Sequence, residues 1–321
     1  MKAKKITFPK DEQKHDSTTE WWYYNGHLKD PNGHNYAYMN TLFKIKYPKV
    51  FGGFFSYLPS INVYFYHSII TDIDNNKFYP NIELNLKTED RSNKFLNLSF
   101  LSKDKSQGYS ISQTEKTKYQ IHGKNLSLSM DNTKDPILVG GSGFVDNVGE
   151  KTFYYSLSNL ESKGKLTVNN TEVPVTGVSW MDHQWGDFGI PRGFWNWFSI
   201  QLENDTQIVC YQVGNKRDIH CLATISYEDN RQESFTNIQI IAGQEAWTSP
   251  KSRISYPLSW QINIPEANLS ISTHALVEDH EVDFRFIKYW EGPIEINAKL
   301  NGKDIAGSGY QELVGGKPNK L

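Results

Sequence analysis

Short segments of alternating apolar and polar residues, separated by turn sequences, constrain the fold of this chain more than any other feature. The segment NYAYMNTLFKI places Ala37, Met39, Thr41, Phe43 and Ile45 on one face of an extended strand. Comparable strand patterns are FWNWFSIQL, QIVCYQV, LATISY, LSWQINI and VDFRFIKYW, and INVYFYHSII is apolar on both faces. Turn sequences such as DPNG, DIDNN, ENDT, YEDN and LNGKD separate the strands. This pattern predicts an all-β protein of antiparallel sandwiches or barrels with few helices.

The length of the chain predicts two domains. Its 321 residues exceed one ordinary domain, and with 38% hydrophobic and 22% charged residues a packed core can form. The best candidate junction is GDFGIPRG, Gly186 to Gly193, where three glycines and a proline separate aromatic-rich segments. We therefore predict domains at residues 1–190 and 191–321.

Charge and hydropathy exclude two classes of partner. The net charge is -2 and no run of Lys and Arg forms a basic stripe, so we expect no nucleic-acid partner. No segment approaches the roughly 20 apolar residues of a membrane span, so no integral membrane segment is expected.

The start, MKAKKITFPKDEQKHD, lacks the apolar core of a signal peptide. The compartment stays open: periplasmic or secreted if a signal peptide was removed, otherwise cytoplasmic. The oligomeric state also stays open.

The two cysteines, Cys210 and Cys221, flank the turn sequence GNKRD. A hairpin closed over Gly214 to Arg217 would place them directly opposite each other. A cross-strand disulfide and two free buried thiols are both compatible with that arrangement.

Several catalytic motifs are absent from the sequence. No serine lies in G-x-S-x-G, and there is no H-E-x-x-H, paired C-x-x-C or P-loop. The histidines show no metal-ligand spacing, so His27, His34, His67 and His183 are interpreted as ordinary polar residues. We expect no metal and no cofactor.

Acidic residues next to tryptophans remain as the candidate chemistry. In SWMDHQWGDF an extended backbone would put Trp180, Asp182 and Gln184 on one face, with His183 and Trp185 on the other. A carboxyl group held against apolar rings has a raised pKa, so Asp182 could act as a general acid, and indole rings could stabilise a cation. The structural alternative is that Asp182 fixes a turn before GDFG and that the tryptophans are core residues.

Similar pairs occur elsewhere. TTEWWYYNGHL contains Glu20 and Trp22, and YWEGP contains Trp290 and Glu291. Each of these glutamates could instead satisfy backbone donors at the end of a barrel.

Six segments, in this order, resemble the carotenoid 1,2-hydratase (hydroxyneurosporene synthase) and AttH-like family of lipocalin-like proteins. They are TTEWWYYNGHL, FYYSLSNLESKGKL, GVSWMDHQWGDF, WNWFSIQLEN, YWEGPIEI and GSGYQELVG, and the resemblance covers about Glu20 to Gly315. It implies two lipocalin-like antiparallel β-barrel domains packed side by side, and a hydrophobic small-molecule ligand. The chain departs from the family pattern at its end, GGKPNKL, where members usually continue with Gly-Tyr.

The resemblance also implies site residues. By position, Asp182 takes the place of the motif acid with His183 beside it as the catalytic candidates. Tyr310 and Glu312 match the Gly-Tyr-x-Glu-Leu of the family. The predicted ligand-binding residues are Glu20, Trp22, Trp180, Trp185, Trp195, Trp290, Glu291 and Tyr310.

Three functions are compatible with these features. The first is an enzyme acting on a lipophilic polyene or isoprenoid, either a hydratase that uses Asp182 as the acid or a cyclase that works by orienting its substrate. The second is a non-catalytic carrier of a hydrophobic ligand. The third is a carbohydrate-active hydrolase, in which two carboxyl groups would flank a glycosidic bond across an open cleft.

Overall fold

The first sheet is built by the N-terminal part of the chain. The computed structural model describes residues 5–84, 86–102, 105, 107–147, 150–189, 193–215, 218–284 and 287–315. The strands of the first sheet are β1 (Thr19–Lys29), β2 (Asn35–Tyr47), β3 (Ile61–Asp72), β4 (Lys77–Leu84), β5 (Lys87–Asp90), β6 (Asn97–Leu101), β7 (Gly108–Gln113), β8 (Lys118–His122), β9 (Leu126–Asn132), β10 (Ile137–Leu138), β11 (Phe144–Asn147), β12 (Glu150–Val168) and β13 (Thr171–Gly186). They pair antiparallel in the order β4-β3-β2-β1-β13-β12-β9-β8-β7-β6-β5, and β10 and β11 pair with β12.

The second sheet follows in the chain. The remaining strands are β14 (Phe194–Leu202), β15 (Gln207–Gly214), β16 (Ile219–Ser226), β17 (Gln232–Phe235), β18 (Gln239–Ala242), β19 (Ala246–Thr248), β20 (Ser255–Pro257), β21 (Ser259–Ile264), β22 (Leu269–Ala275), β23 (Glu281–Phe284), β24 (Ile287–Leu300) and β25 (Lys303–Val314). Their order is β17-β16-β15-β14-β25-β24-β22-β21-β18, with β23 on β24 and a separate β19-β20 pair. In both sheets the first strand therefore lies beside the last one.

Both sheets curl into lipocalin-like barrels, which confirms the predicted all-β class. Within the described residues there is no α-helix, and none of the helices present is long and apolar enough to cross a membrane. The 3-10 helices are Lys10–Glu12, Lys49–Phe51, Gly53–Tyr57, Val139–Gly141 and Pro265–Ala267.

Three apolar cores explain why several strands are buried on both faces. One core fills the first barrel and includes Trp22 and Tyr38, and another fills the second barrel around Trp260. The third lies between the sheets and joins Trp180 of β13 to Trp197 of β14. Seven consecutive residues of β13 are buried, because one side faces the first barrel and the other faces the second sheet.

Hydrogen bonds also cross between the sheets. His67 Nδ1 and the Tyr289 hydroxyl are 2.7 Å apart, and His280 Nε2 is 3.1 Å from the Thr71 hydroxyl. His27 Nε2 donates to a backbone carbonyl of β25 at 2.8 Å. The sheets are therefore joined by specific polar contacts as well as by apolar packing.

The chain passes from one sheet to the other between Gly186 and Phe194. Residues 190–192 of the predicted junction lie outside the described residues, and the domain division at 190/191 stays a prediction.

The predicted register, with the two cysteines directly opposite each other, is wrong. Cys210 lies opposite Ala223 and Cys221 lies opposite Gln212, so the two thiols are diagonal neighbours, and both are free. The hairpin pairs Gly214 with Ile219, so its four-residue loop begins one residue later in the chain than the sequence-based alignment assumed. Residues 216 and 217 of that turn lie outside the described part of the chain.

Candidate functional site

A cavity of about 1210 Å³ lies between the two sheets and reaches the surface beside the β2–β3 connection. Its walls come from the outward face of the first sheet and from the second sheet. Strand residues in its lining include Trp21, Tyr23, Thr41, Phe43, Ile45, Phe65, His67, Thr152, Tyr154, Asp182, Gln184, Trp195, Trp197, Val213, Tyr289, Glu291, Glu312 and Val314. The cavity thus combines an aromatic wall with three carboxyl groups on its strands, while Asp16 and Asp187 lie in the connecting segments of the lining.

Asp182 lies within β13 and faces this cavity. Its carboxyl group accepts hydrogen bonds at 2.6 Å from both the Ser156 hydroxyl and Trp180 Nε1, and a further one from the Tyr154 hydroxyl. Burial raises the pKa of Asp182 to about 6, and these three donors limit the rise. All three donors to Asp182 are side chains, so the carboxyl group does not fix a turn; Asp187 is the residue that accepts the backbone N–H of Thr18. The other part of the structural alternative is confirmed, because Trp180 and Trp185 lie in the apolar cores.

Tyr154 connects Asp182 to the second sheet. Trp197 Nε1 donates to the Tyr154 hydroxyl at 2.8 Å, and that hydroxyl donates to Asp182. Burial and the adjacent carboxylate hold the pKa of Tyr154 well above its usual value. The tyrosine proton therefore stays on its oxygen, and the arrangement orients the carboxylate of Asp182.

Glu291 of β24 and Glu312 of β25 are direct cross-strand partners on the opposite wall. Burial raises the pKa of Glu312 to about 7, and the charge of Asp182 adds to this effect, while Trp195 partly offsets it. Burial and then the charge of Glu312 raise the pKa of Glu291 well above its usual value. Tyr23 lies beside Glu291 and favours its ionised form, although within the described residues neither the Tyr23 hydroxyl nor Glu291 Oε1 makes a hydrogen bond of standard geometry.

Like charges directly opposite each other on adjacent strands repel strongly in a poorly solvated site. Glu291, the more deeply buried of the two, therefore keeps its proton near neutral pH, while Glu312, with its pKa raised to about 7, ionises there. Asp182 has the lowest pKa of the three and accepts three hydrogen bonds, so it is the ionised member. The cavity thus holds a proton donor and a proton acceptor on facing walls.

Aromatic and imidazole groups complete the walls. The indole of Trp195 stacks on Tyr211 with ring centroids 5.3 Å apart. His67, which the sequence spacing classed as an ordinary polar residue, lines the cavity with Tyr289 bonded to its Nδ1. Burial lowers the pKa of His67 to about 3, so this imidazole is neutral.

Four of the predicted site residues face the interior of the first barrel instead. Trp22 stacks on His183 with centroids 4.7 Å apart, and His183 also contacts Trp185. Glu20 accepts the backbone N–H of His15, as the barrel-end alternative for this residue requires. The structure thus separates His183 from its neighbour Asp182, because successive side chains of a strand point to opposite faces.

The Glu20 carboxylate also lies near two imidazoles and a lysine. His15 Nδ1 is 2.8 Å and His183 Nε2 is 3.1 Å from Glu20 Oε1, and the three residues could in principle offer ligands to a metal ion. Lys44 Nζ, however, forms an ion pair with Glu20 Oε2 at 2.7 Å. Burial opposes ionisation of Glu20, but hydrogen bonds from the histidines and the charge of Lys44 outweigh it and lower its pKa to about 2. The buried ammonium already neutralises the carboxylate, so this donor set does not suit a metal cation.

The other predicted ligand-binding residues are divided between the cavity and the cores. Glu291 and Trp195 line the cavity. Trp180 lies in the core between the sheets and donates its indole N–H to Asp182, and Tyr310 is fully buried in the same core. Trp290 packs inside the second barrel and donates to the carbonyl of Glu278.

A turn in the sequence could have revealed the pairing of the two glutamates. β24 and β25 are joined by Asn301-Gly302, both with positive φ, as a two-residue hairpin turn requires. Counting outward from this turn along both strands places Glu291 opposite Glu312. Tyr154 and Trp197 had no comparable indication, since their positions depend on how the sheets pack.

Comparison with known proteins shows similarity over nearly the whole chain. The family model described as AttH-like matches residues 1–316. Kievitone hydratase of Fusarium solani subsp. phaseoli is 22% identical over 198 residues, which cover 59% of this chain and 56% of that protein. Dehydratase asqC of Emericella nidulans is 22% identical over 224 residues, covering 64% of this chain and 63% of that protein. The alignments thus span less than two thirds of each of these relatives.

A solved structure shows the same fold. The crystal structure of kievitone hydratase from Nectria haematococca superposes with a TM-score of 0.79 at 17% identity, and the match covers 97% of this chain and 93% of that one.

Proposed function

Because the chain belongs to the AttH-like family, we propose that it is a hydro-lyase, which adds water to a lipophilic small molecule or removes water from one, in the cavity between its two sheets. The relatives named kievitone hydratase and dehydratase asqC support this class of reaction. The observation that carries the proposal is that Asp182, Glu291 and Glu312, all with a raised pKa, face one aromatic-walled cavity.

The cavity favours a lipophilic ligand. Its volume of about 1210 Å³ exceeds the roughly 300–1,000 Å³ of typical small-molecule pockets. Trp21, Phe43, Phe65, Trp195 and Trp197 contribute ring surface to its walls. We propose an isoprenoid or polyene chain as the ligand, because such a chain can lie along these rings and carries the double bond that hydration needs.

Glu291 and Glu312 would supply the acid. Glu291 holds its proton in a poorly solvated site at near-neutral pH beside Glu312, and such a carboxyl group can protonate an alkene carbon. The π electrons of the double bond form the new C–H bond, and the adjacent carbon becomes cationic. The faces of Trp195 and Trp197 would stabilise that cation.

Asp182 would act as the base in the hydration direction. A water molecule forms the C–O bond to the cation, and its surplus proton passes to the ionised carboxylate of Asp182. Tyr154, Ser156 and Trp180 fix the orientation of this carboxylate. Dehydration is the same sequence reversed, with the glutamate pair accepting the proton from carbon.

A non-catalytic carrier is the second candidate, because an aromatic-lined cavity suffices to bind a hydrophobic ligand. A cyclase would use the same cavity only to fold its substrate and would not need the carboxyl groups. Three carboxyl groups placed in a ligand cavity carry a desolvation cost that a carrier gains nothing from, and this favours the hydro-lyase.

The test is water addition with an isotopic label. The protein is incubated in heavy-oxygen water with lycopene, as an acyclic polyene, and separately with a phenol that carries a dimethylallyl group, and extracts are examined by mass spectrometry. We expect a product with one added water that carries the heavy oxygen. Glu291→Gln and Glu312→Gln should abolish its formation, while the matched variant Glu295→Gln, exposed on the same strand, should retain it.

The outcomes separate the candidates. A ligand that quenches the tryptophan fluorescence and is recovered unchanged identifies a carrier. A product isomer without added oxygen identifies a cyclase. Hydration that survives both glutamine variants would remove the glutamate pair from the acid role.

A further inference from the structure

Six large apolar side chains are exposed on the connection from β2 to β3 and at the two strand residues that flank it. Within the part of the chain that the structure describes, the other exposed large apolar residues are scattered over separate elements. We call the six the aromatic patch; its members and exposed fractions are Tyr47 50%, Phe51 47%, Phe54 73%, Phe55 45%, Tyr57 88% and Ile61 67%. Contiguous exposed apolar surface of this kind marks an interaction site.

The patch has a defined local structure. The 3-10 helices Lys49–Phe51 and Gly53–Tyr57 are joined at Gly52, and both Gly52 and Gly53 have positive φ. Edge-to-face contacts link Phe51 to Phe55 and Phe55 to Phe54, with centroids 5.9 and 6.3 Å apart. The rings thus support one another while their outer surfaces stay uncovered.

The patch is continuous with the entrance of the cavity. Val50, Phe51, Gly52, Gly53 and Ser56 belong to this connection and also line the cavity. A lipophilic molecule leaving an apolar surface in contact with the patch would therefore enter the cavity without crossing bulk water.

Lysines lie beside the aromatic patch at the cavity entrance. Lys44 is buried in an ion pair with Glu20, and Lys46 forms an ion pair with the exposed Asp16. Lys49 lies within the connection and lines the cavity entrance, and among the described residues no carboxylate forms an ion pair with it. The Lys49 ammonium beside exposed aromatic rings complements the anionic headgroups and interfacial region of a phospholipid bilayer.

We infer that the aromatic patch docks the protein on an anionic phospholipid surface, with the cavity entrance facing the lipid. Phe54 and Tyr57 enter the interfacial region, and Lys49 lies against the headgroups. Docking concerns the surface of the protein, and its measurement needs no substrate and no turnover, so its failure and the failure of the hydro-lyase proposal are separate results.

The test is sedimentation with vesicles of phosphatidylglycerol mixed with phosphatidylcholine, and with vesicles of phosphatidylcholine alone. The double variant Phe54→Ser/Tyr57→Ser removes two exposed rings that do not line the cavity. Its matched control is Ile241→Ser, 52% exposed on the second sheet. We expect the wild type and the control to bind the anionic vesicles, and the double variant to bind at least about tenfold more weakly.

Three results would overturn the inference. One is a wild type that stays in the supernatant with anionic vesicles, and another is equal binding to both kinds of vesicle. The third is a wild-type dimer, measured by light scattering, that the double variant converts to a monomer while vesicle binding is absent. That last result would assign the patch to a second copy of the chain.

Discussion

Replacing Glu312 by glutamine should stabilise the protein in a pH-dependent way. Glutamine keeps the shape of the side chain and removes the charge that burial and the neighbouring carboxyl groups oppose. The predicted gain rests on the raised pKa of Glu312 and is independent of the identity of the substrate.

The magnitude follows from linkage. A carboxyl group with a pKa of 4.5 when unfolded and about 7 in the folded protein disfavours the folded state once both states are ionised. At about 1.4 kcal/mol per pKa unit the difference corresponds to about 3 kcal/mol. Glu312 keeps partial exposure to the cavity, so we expect about 2–3 kcal/mol in practice.

The sign sets the pH window. Between pH 4.5 and about 7 the folded state binds more protons at Glu312 than the unfolded state does, so the stability of the wild type falls as pH rises. The gain in unfolding free energy of Glu312→Gln over the wild type is therefore small below pH 4.5, grows between pH 4.5 and about 7, and levels off above that range.

The assay is urea unfolding followed by tryptophan fluorescence, at about pH 5 and about pH 8. The control is Glu295→Gln, the same substitution at an exposed site of β24, whose effect should be small at both pH values. A gain that is equal at the two pH values, or no gain at about pH 8, would refute the account of the glutamate pair.

Three further predictions concern other buried groups. Asp182→Asn should lower the unfolding free energy by about 1–3 kcal/mol, because an amide N–H would meet hydroxyl and indole donors; urea titration measures this. The pKa of His280, lowered to about 4 by burial, makes stability fall as pH drops from 6.5 towards about 4, and His280→Asn should flatten that part of the stability profile. Lys44→Met should cost about 3 kcal/mol or more by leaving the buried carboxylate of Glu20 without its cation, while Lys46→Met, at the half-buried partner of Asp16, should cost much less.

Much of the fold follows from alternation alone. The segments NYAYMNTLFKI and FWNWFSIQL lie within β2 and β14. Ala37, Met39 and Thr41 are buried on the face that alternation assigned to them, and Phe43 and Ile45 are half-buried there. That face packs against the second sheet, however, while Tyr38 and Leu42 fill the barrel. Alternation identifies the two faces of a strand, but with both faces buried it does not say which one faces which core.

The surroundings of Asp182 depend on one irregularity that no sequence pattern marks. β12 and β13 form a hairpin through Asn169 and Asn170, and regular pairing from that turn would place Leu157 opposite Asp182. A bulge between Leu157 and Leu160 shifts the register by one residue and places Ser156 there.

A shift of one residue exchanges the two faces of a strand. The bulge therefore turns the hydroxyls of Tyr154 and Ser156 towards Asp182 and sends Tyr155 and Leu157 into the first barrel. Without the bulge, the Asp182 carboxyl group would face aliphatic and aromatic carbon on the neighbouring strand. It would then lack these two hydroxyl donors, and burial would raise its pKa further. The bulge thus lets Asp182 be an ionised acceptor opposite the protonated Glu291, and it is the step from strand pattern to site chemistry that the sequence does not encode in any local motif.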